Sequence, residues 1–261
     1  MSPQMLHCRI THPRDGQMHT HTVIFLHGRG DTADNFSETI NDSTDSHGRT
    51  LQDNLPSVRW VFPSSQLRVL ARWPVESISQ WFDTWDICNL ADREELQQPG
   101  LKKSVASIRA IAEQEVARHL GGRWDRLILA GISQGGATAV HTLLNLNLPS
   151  GHTRLGGLLG FSCRFPFPGR TLAETRAVLG LDDVPEHDQV VRNTPVMIQH
   201  CTNDPLVRVE IGRQTRDTLQ RFGAPVTWRE YPRGGHWIQS PDGIDDSVAW
   251  LKEHVFAAGE S

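Results

Sequence analysis

Short runs of apolar, often β-branched residues recur along the chain between segments in which apolar residues are spaced three and four apart. The runs predict strands at residues 22–28, 58–63, 126–131, 155–162, 195–201 and 226–232. Several are apolar throughout, as expected of strands that are covered on both faces. The segments of helical spacing predict helices at residues 101–120, 136–146, 207–222 and 244–256. This alternation is typical of an α/β fold with a mainly parallel central sheet flanked by helices.

Two longer segments interrupt the alternation. Residues 64–100 are rich in tryptophan, and residues 170–193 are polar and charged, with one short stretch of helical pattern. Long excursions in a compact α/β domain are commonly lids or surface insertions. A length of 261 residues, without an internal repeat or linker, predicts a single domain that spans residues 1–261.

Composition and charge make several classes of protein improbable. A formal net charge of −4 argues against a nucleic-acid-binding protein, which would usually carry a basic face. We find no signal-peptide pattern at the N-terminus and no stretch that approaches the ~18 apolar residues needed to span a bilayer. We therefore expect a cytoplasmic protein without stable membrane insertion, and the sequence leaves its oligomeric state open.

Cysteine and histidine spacing gives no sign of a metal site. Cys8, Cys88, Cys163 and Cys201 are far apart and form no CxxC pair, which favours reduced thiols in the cytosol. The pair His19 and His21 would share one face of a strand, but no HExxH motif or third ligand accompanies it. We expect a protein without metal or organic cofactor.

One motif places chemistry at a predicted strand end. Gly131-Ile132-Ser133-Gln134-Gly135 has the form G-x-S-x-G, with a predicted strand before it and a predicted helix after it. Such a motif forms a sharp strand-to-helix turn, in which the glycines permit close approach and the serine hydroxyl projects from the carboxyl end of the sheet. Ser133 is therefore the predicted nucleophile.

A serine nucleophile needs a base to accept its proton and an acid to orient that base. In this kind of fold the acid and then the histidine follow the serine along the chain. His236 lies after the last predicted strand, behind two glycines that suit a flexible loop. Asp204 lies just past the strand at residues 195–201, at the same end of the sheet. Considered alone, Asp204 is more typical of a turn or helix-capping residue. The order of Ser133, Asp204 and His236 along the chain favours a catalytic role.

Three other aspartates and one glycine-rich loop complete the set of candidates. Asp182, Asp183 and Asp188 are weaker choices for the acid because they belong to the polar excursion. The anion formed during acyl transfer needs two N–H donors, and the first is predicted to be the amide of Gln134. The second is predicted to be the amide of Arg29 in the sequence LHGRGD, which as an alternative is an ordinary glycine turn.

Six blocks in order resemble the acyl-protein thioesterase and carboxylesterase group, or phospholipase/carboxylesterase family, of the α/β-hydrolase superfamily. They are VIFLHGRGDTADNF, WFD, LILAGISQGGATAV, FSC, DPLV and GGH. The resemblance implies an α/β-hydrolase fold, with Ser133, Asp204 and His236 as the triad and the amides of Arg29 and Gln134 as the oxyanion hole. It also implies hydrolysis of carboxylic esters or thioesters, including those of S-acylated proteins, through an acyl-enzyme intermediate and without a cofactor.

The sequence departs from the family pattern around the expected substrate site. Arg29 stands where an apolar residue is usual, and Arg164 and Phe165 replace a frequent tryptophan and leucine. Cys201 replaces a common glycine, and the excursion at residues 170–193 is longer than expected. If Arg29 and Arg164 face the site, they favour an acidic or polar leaving group, whereas as solvated surface residues they have no such effect.

The tryptophan-rich segment supplies further candidates for an acyl-binding pocket, although the same residues suit core packing. The predicted pocket residues are Trp73, Trp81, Phe82, Trp85, Arg164, Phe165 and Leu206. The alternative functions are a small-molecule lactone hydrolase and a noncatalytic ligand-binding protein of the same fold. The complete triad favours the enzyme.

Overall fold

The computed structural model describes residues 5–87 and 89–257. Within them, a seven-stranded sheet runs in the order β1-β3-β2-β6-β7-β8-β9, beside a separate hairpin of β4 and β5. All neighbouring strands of the large sheet are parallel except β1, which pairs antiparallel with β3 at one edge. The strands are β1 (Cys8–Thr11), β2 (His21–Leu26), β3 (Val58–Pro63), β4 (Gln66–Val69), β5 (Ser77–Gln80), β6 (Leu127–Ile132), β7 (Gly157–Phe161), β8 (Val196–Cys201) and β9 (Val226–Tyr231).

Helices cover both faces of the sheet. They are α1 (Ala33–Thr39), α2 (Leu51–Asn54), α3 (Gln97–His119), α4 (Gln134–Asn145), α5 (Leu172–Leu179), α6 (Gln189–Asn193), α7 (Val209–Arg221) and α8 (Asp242–Leu251). Buried residues of α3 to α7 share one hydrophobic core with the sheet. Those of α1, α2 and α8 form a second core on the opposite face.

Alternation along the central strands explains why they are apolar throughout. In β2, Ile24 and Leu26 belong to one core while Val23 and Phe25 belong to the other. Successive side chains of a strand point to opposite faces, so a strand between two helical layers needs an apolar residue at every position. The predicted mainly parallel sheet flanked by helices is confirmed.

The predicted elements correspond to the observed ones, with bounds that shift by a few residues. Six of the seven strands of the large sheet match predicted runs, and the four predicted helices correspond to α3, α4, α7 and α8 with the short π-helical turn Lys252–Phe256 that follows it. Sequence analysis missed β1, the hairpin and α1 and α2. The excursion at 64–100 contains the hairpin and the start of α3, and the one at 170–193 contains α5 and α6. Cys88 lies outside the described residues.

Within the described residues, none of the helices combines the length and apolar character needed to cross a bilayer.

Helix α4 packs unusually close to β2 and β6 at its first turn. A Cβ atom on Gly131 would clash with the backbone of Gly135, and a Cβ atom on Gly135 would clash with the carbonyl groups of Leu26 and His27. A Cβ atom on Gly136 would lie 2.6 Å from Cys163 Cβ. Both glycines of the G-x-S-x-G motif are therefore required by backbone packing.

We expect Gly135→Ala to lower the free energy of unfolding by about 3 kcal/mol or more, because the new methyl group overlaps rigid backbone atoms. Urea unfolding followed by circular dichroism measures the effect. The matched control is Gly151→Ala, at an exposed turn glycine with φ of 89° and no atom within 4 Å of the added carbon. That change should cost only about 1–2 kcal/mol, the conformational penalty of a left-handed residue. Equal losses in the two variants would contradict the packing explanation.

Candidate active site

Four loops meet at the carboxyl ends of β2, β6, β8 and β9, where ligands bind in open α/β folds. They carry Arg29, Ser133, Asp204 and His236. Between the loops lies a cavity of about 270 Å³ whose wall includes Arg29, Ser133, Gln134 and His236. Residues that are up to 207 positions apart in the sequence thus share one small space.

Ser133 occupies a strained turn between β6 and α4. Its φ of 56° and ψ of −121° lie outside the regions that L-residues favour, and its N–H donates to Phe161 O at 2.9 Å. The hydroxyl does not cap the helix that begins at the next residue. Within the described part of the chain it makes no hydrogen bond to His236; both side chains face the same cavity. The turn therefore places Ser133 in the wall of the cavity.

Asp204 and His236 are joined by a hydrogen bond of 2.8 Å between Asp204 Oδ2 and His236 Nδ1. The aspartate side chain is fully buried, whereas that of the histidine is 17% exposed. Asp204 Oδ1 accepts the N–H groups of Leu206 and Val207 at 2.8 and 2.9 Å. Burial alone would raise the pKa of Asp204, but the hydrogen bonds from His200, His236 and Val207 hold it well below its usual value. The carboxylate is thus ionised, with a fixed orientation.

Two residues that the sequence analysis did not single out hold this pair in place. His200 Nε2 donates to Val207 O at 2.7 Å and lies 3.5 Å from Asp204 Oδ2, so it packs directly behind the carboxylate. Asn203 Oδ1 accepts the N–H of Gly235 at 3.0 Å and ties the acid loop to the histidine loop. His200 is the penultimate residue of β8, and the apolar run that predicted this strand gave no sign of the contact.

Hydrogen bonds to several other segments of the chain hold the loop after β2. His27 is fully buried; its Nε2 accepts Ser65 N–H at 2.9 Å, so its Nδ1 carries the proton and donates to Gly28 O at 2.6 Å. Burial lowers the pKa of His27, which favours this neutral form. Trp81 Nε1 donates to His27 O at 2.8 Å, and Gly30 N–H donates to Ser79 O at 2.7 Å.

These bonds hold the peptide between Gly28 and Arg29 beside the serine. A Cβ atom on Gly28 would lie 3.7 Å from Ser133 Cβ. The backbone N–H groups of Arg29 and Gln134 donate no hydrogen bond to any other residue that the structure describes. Gln134 is the first residue of α4, where backbone N–H groups have no partner within the helix and carry partial positive charge. Two unused donors thus lie near the predicted nucleophile.

Trp81 and Phe82 support the site from behind instead of lining it. Both are fully buried in the core and neither contributes to the cavity wall. Gln134 Oε1 accepts Trp81 N–H at 3.2 Å, and Gln134 Nε2 donates to Phe82 O at 3.0 Å and Thr84 Oγ1 at 3.1 Å. Their position does not support the prediction that they form the substrate pocket, because the core on the α3 side encloses their rings.

Three more predicted pocket residues lie elsewhere, and two lie in the wall. Trp73 is about half exposed beside the Arg72 guanidinium, and Trp85 packs against Arg72 and Arg93. Phe165 is buried against the rings of His141 and Phe222. Arg164 and Leu206 are the two predicted pocket residues that line the cavity. The wall residues that sequence analysis did not select are Gly28, Asp31, Thr84, Ile87, Leu90, Ile132, Val207 and Trp237.

A possible metal-ligand cluster within the described residues lies outside the cavity wall. The ligand atoms of Asp45, His47 and Asp245 come within 4.8 Å of one another. However, the Asp45 carboxylate is already bonded to Arg49 and Asn54 and to backbone amides. Its oxygens are committed to the loop, so the cluster is explained without a cation.

Comparison with known proteins gives consistent results over nearly the whole chain. A sequence model of the family described as Phospholipase/Carboxylesterase matches residues 7–254. An acyl-protein thioesterase 1 from Gibberella zeae is 29% identical over 242 residues, covering 91% of this chain and 92% of that protein. An acyl-protein thioesterase 1 from Cryptococcus neoformans is 26% identical over 266 residues, covering 97% of this chain and 99% of that protein.

Solved structures show the same architecture. The crystal structure of Zea mays acyl-protein thioesterase 2 matches with a TM-score of 0.72 at 22% identity, covering 95% of this chain and 99% of that one. The crystal structure of esterase PE8 matches with a TM-score of 0.69 at 21% identity, covering 96% and 100%. The predicted α/β-hydrolase fold is thereby confirmed.

The buried carboxylate makes a pH-dependent contribution to stability. Because its pKa is lower in the folded chain than the unfolded value of about 3.9, Asp204 stabilises the fold above that pH and loses this contribution as the pH falls towards the folded pKa. We expect Asp204→Asn to reduce the free energy of unfolding by about 1–3 kcal/mol at pH 7. The difference from wild type should shrink between about pH 5 and pH 3.

Urea titrations of both proteins at several pH values measure this difference. Asp15→Asn, at an exposed aspartate, is the control and should stay within about 0.5 kcal/mol of wild type throughout. A difference for Asp204→Asn that is independent of pH would contradict the assignment of a depressed pKa.

Proposed function

The chain belongs to the phospholipase/carboxylesterase family and is a hydrolase of ester or thioester bonds, and we propose that Ser133, His236 and Asp204 are its catalytic triad. The observation that carries this proposal is the 2.8 Å hydrogen bond from His236 Nδ1 to the buried Asp204 carboxylate, behind the cavity that Ser133 faces. It leaves His236 Nε2 as the nitrogen able to accept a proton.

The reaction begins with proton transfer. His236 Nε2 takes the proton of Ser133 Oγ while the oxygen attacks the carbonyl carbon of the substrate. Asp204 keeps Nδ1 protonated, orients the ring and stabilises the positive charge that the imidazole acquires. The negative charge on the former carbonyl oxygen is held by the amides of Arg29 and Gln134, assisted by the partial positive charge at the start of α4.

Collapse of the tetrahedral intermediate breaks the bond to the alcohol or thiol, which leaves with the proton from His236 Nε2. The acyl group remains on Ser133 Oγ as an ester. A water molecule then gives a proton to His236 Nε2 and attacks that ester to form a second tetrahedral intermediate. As this intermediate collapses, the bond to Ser133 Oγ breaks, His236 returns the proton to Oγ, and the carboxylic acid is released. Each step uses groups that the described chain supplies.

The geometry supports ester and thioester hydrolysis better than the other candidates. No specific observation favours a lactone hydrolase or a noncatalytic binding protein. The relatives named acyl-protein thioesterase make a protein thioester one substrate class that this site would accept. The free thiols of Cys8, Cys163 and Cys201 agree with the proposed cytoplasmic location.

We expect Ser133→Ala to abolish labelling by a fluorophosphonate probe and to reduce the hydrolysis of p-nitrophenyl butyrate by at least about 1,000-fold, because the attacking oxygen is lost. Gel fluorescence and initial rates measure the two effects. Ser162→Ala is the matched control, since Ser162 is a buried serine of φ 45° at the end of the neighbouring strand and outside the cavity wall. Retained labelling in Ser133→Ala would disprove the assignment of the nucleophile.

His27 is proposed to position the Arg29 amide, so His27→Gln should lower kcat by about 10- to 100-fold while KM changes by only a few fold. Steady-state kinetics on the same ester separates the two parameters. His141→Gln is the control, because His141 is also a fully buried histidine but packs against Phe165 away from the cavity. If both variants lose stability alike and neither loses kcat, His27 has a purely structural role.

A further inference from the structure

Arg164 is a buried cation in the wall of the catalytic cavity. It lies on the segment after β7. This strand is the neighbour of β6, which ends just before Ser133. Arg164 as a whole is 6% exposed. Much of the wall around it is apolar and includes Ile87, Leu90 and Ile132. A guanidinium group in such surroundings is costly to bury unless something pairs with it.

The chain itself pairs only part of this group. Arg164 Nη2 donates to Gln97 Oε1 at 2.5 Å, and the guanidinium carbon lies 5.3 Å from the centre of the Phe82 ring. Among the described residues, Nε and Nη1 make no hydrogen bond and no carboxylate lies within 4.0 Å of the group. Arginine has five N–H donors, so several have no partner among the described residues of a side chain that lines the cavity.

Glu94, whose charge acts on Arg164, does not pair with it. Glu94 raises the pKa of Arg164 through its charge but makes no ion pair with it, since its carboxylate accepts the N–H of Phe167 at 2.7 Å and lies 3.9 Å from Arg170 Nη1. Burial lowers the pKa of Arg164 to about 10, so the side chain still carries its charge at neutral pH. The acid within the cavity wall, Asp31, is bonded to Thr32 N–H and Asn35 Nδ2.

We propose that Arg164 binds a carboxylate carried by the substrate, so that the enzyme prefers esters and thioesters bearing a negative charge over neutral ones of the same length. This inference rests on the proposed function, because it assigns the substrate class of that site. The planar guanidinium matches a carboxylate through two parallel hydrogen bonds. A long alkyl chain in the same place would leave the cation unpaired and desolvated, which is unfavourable.

The carboxylate can belong to the acyl part or to the alcohol part of the substrate, and two pairs of esters distinguish these sources. Monomethyl glutarate and methyl valerate differ by a carboxylate on the acyl part. O-Butyryl glycolate and ethyl butyrate differ by a carboxylate on the alcohol part. We expect kcat/KM to be about 10- to 100-fold higher for the charged ester in one of the pairs, the range typical of a charge-assisted hydrogen bond.

The variant Arg164→Met removes the charge and keeps an unbranched apolar stem, and it should bring that ratio close to one. Arg164→Lys, which keeps the charge without the planar fork, should retain part of the preference. The matched control is Arg176→Met, since Arg176 is equally buried but bonds the carbonyl groups of Leu144, Pro185 and His187 away from the cavity. It should reduce stability and leave the ratio unchanged.

A preference in either pair that Arg164→Met removes supports the inference. Equal rates within both pairs, or a preference that survives in Arg164→Met, would overturn it. Should that variant fail to fold, competition with p-nitrophenyl butyrate for the wild type by the charged and the neutral ester of each pair gives the answer: the charged ester of one pair is expected to bind at least about tenfold more tightly, and equal competition within both pairs would refute the anion site. Failure of the proposed function is a separate result, in which no ester is hydrolysed and Ser133 is not labelled.

Discussion

The contact between the first turn of α4 and the carboxyl end of β2 determines the geometry of the site. Gly135 packs directly on the Leu26 and His27 carbonyls, closer than any residue with a Cβ atom could. This contact sets the distance between the loop that carries Arg29 and the helix that begins at Gln134. Two backbone amides can converge on one oxygen only if that distance is fixed, because a displacement of a few tenths of an ångström weakens each hydrogen bond. The strained Ser133 turn joins β6 to this same helix.

The buried carboxylate of Asp204 similarly constrains the loops that carry Asp204 and His236. Asp204 is stable without solvent because two backbone amides and His236 donate hydrogen bonds to its oxygens and His200 packs 3.5 Å from Oδ2. Removing one partner would leave a charge in a nonpolar environment, so the surrounding loops have little freedom to move. His200 therefore matters although it lies outside the cavity wall: it packs behind the acid and binds the loop that follows it. The orientation of the imidazole is a consequence of how the carboxylate is paired.

The sequence predicted the parts of the structure that depend on local pattern or chain order. Strands buried on both faces were recognisable from continuous apolar runs, and the G-x-S-x-G motif, a later aspartate and a late histidine pointed to one end of the sheet. It could not reveal contacts between distant segments. Trp81 and Phe82 resemble pocket residues in composition, yet they pack in the core and bind the side chain of Gln134 through their backbone. Trp237 gave no periodic signal, because its place in the wall follows from the path of a loop.

The proposed catalytic groups and the residues proposed to select the substrate depend on different parts of the structure. The proposed catalytic groups are fixed by strand ends, backbone amides and glycine contacts, and a change at any of them disturbs the sheet or the helix behind it. The wall residues Arg164, Leu206 and Ile87 are side chains on segments that follow those strands, and they can differ without moving the triad. A cation can therefore replace an apolar residue in the wall while the reaction stays the same. An unpaired charge is costly in a nonpolar cavity. The presence of Arg164 beside the proposed catalytic groups is therefore explained if its guanidinium binds the substrate.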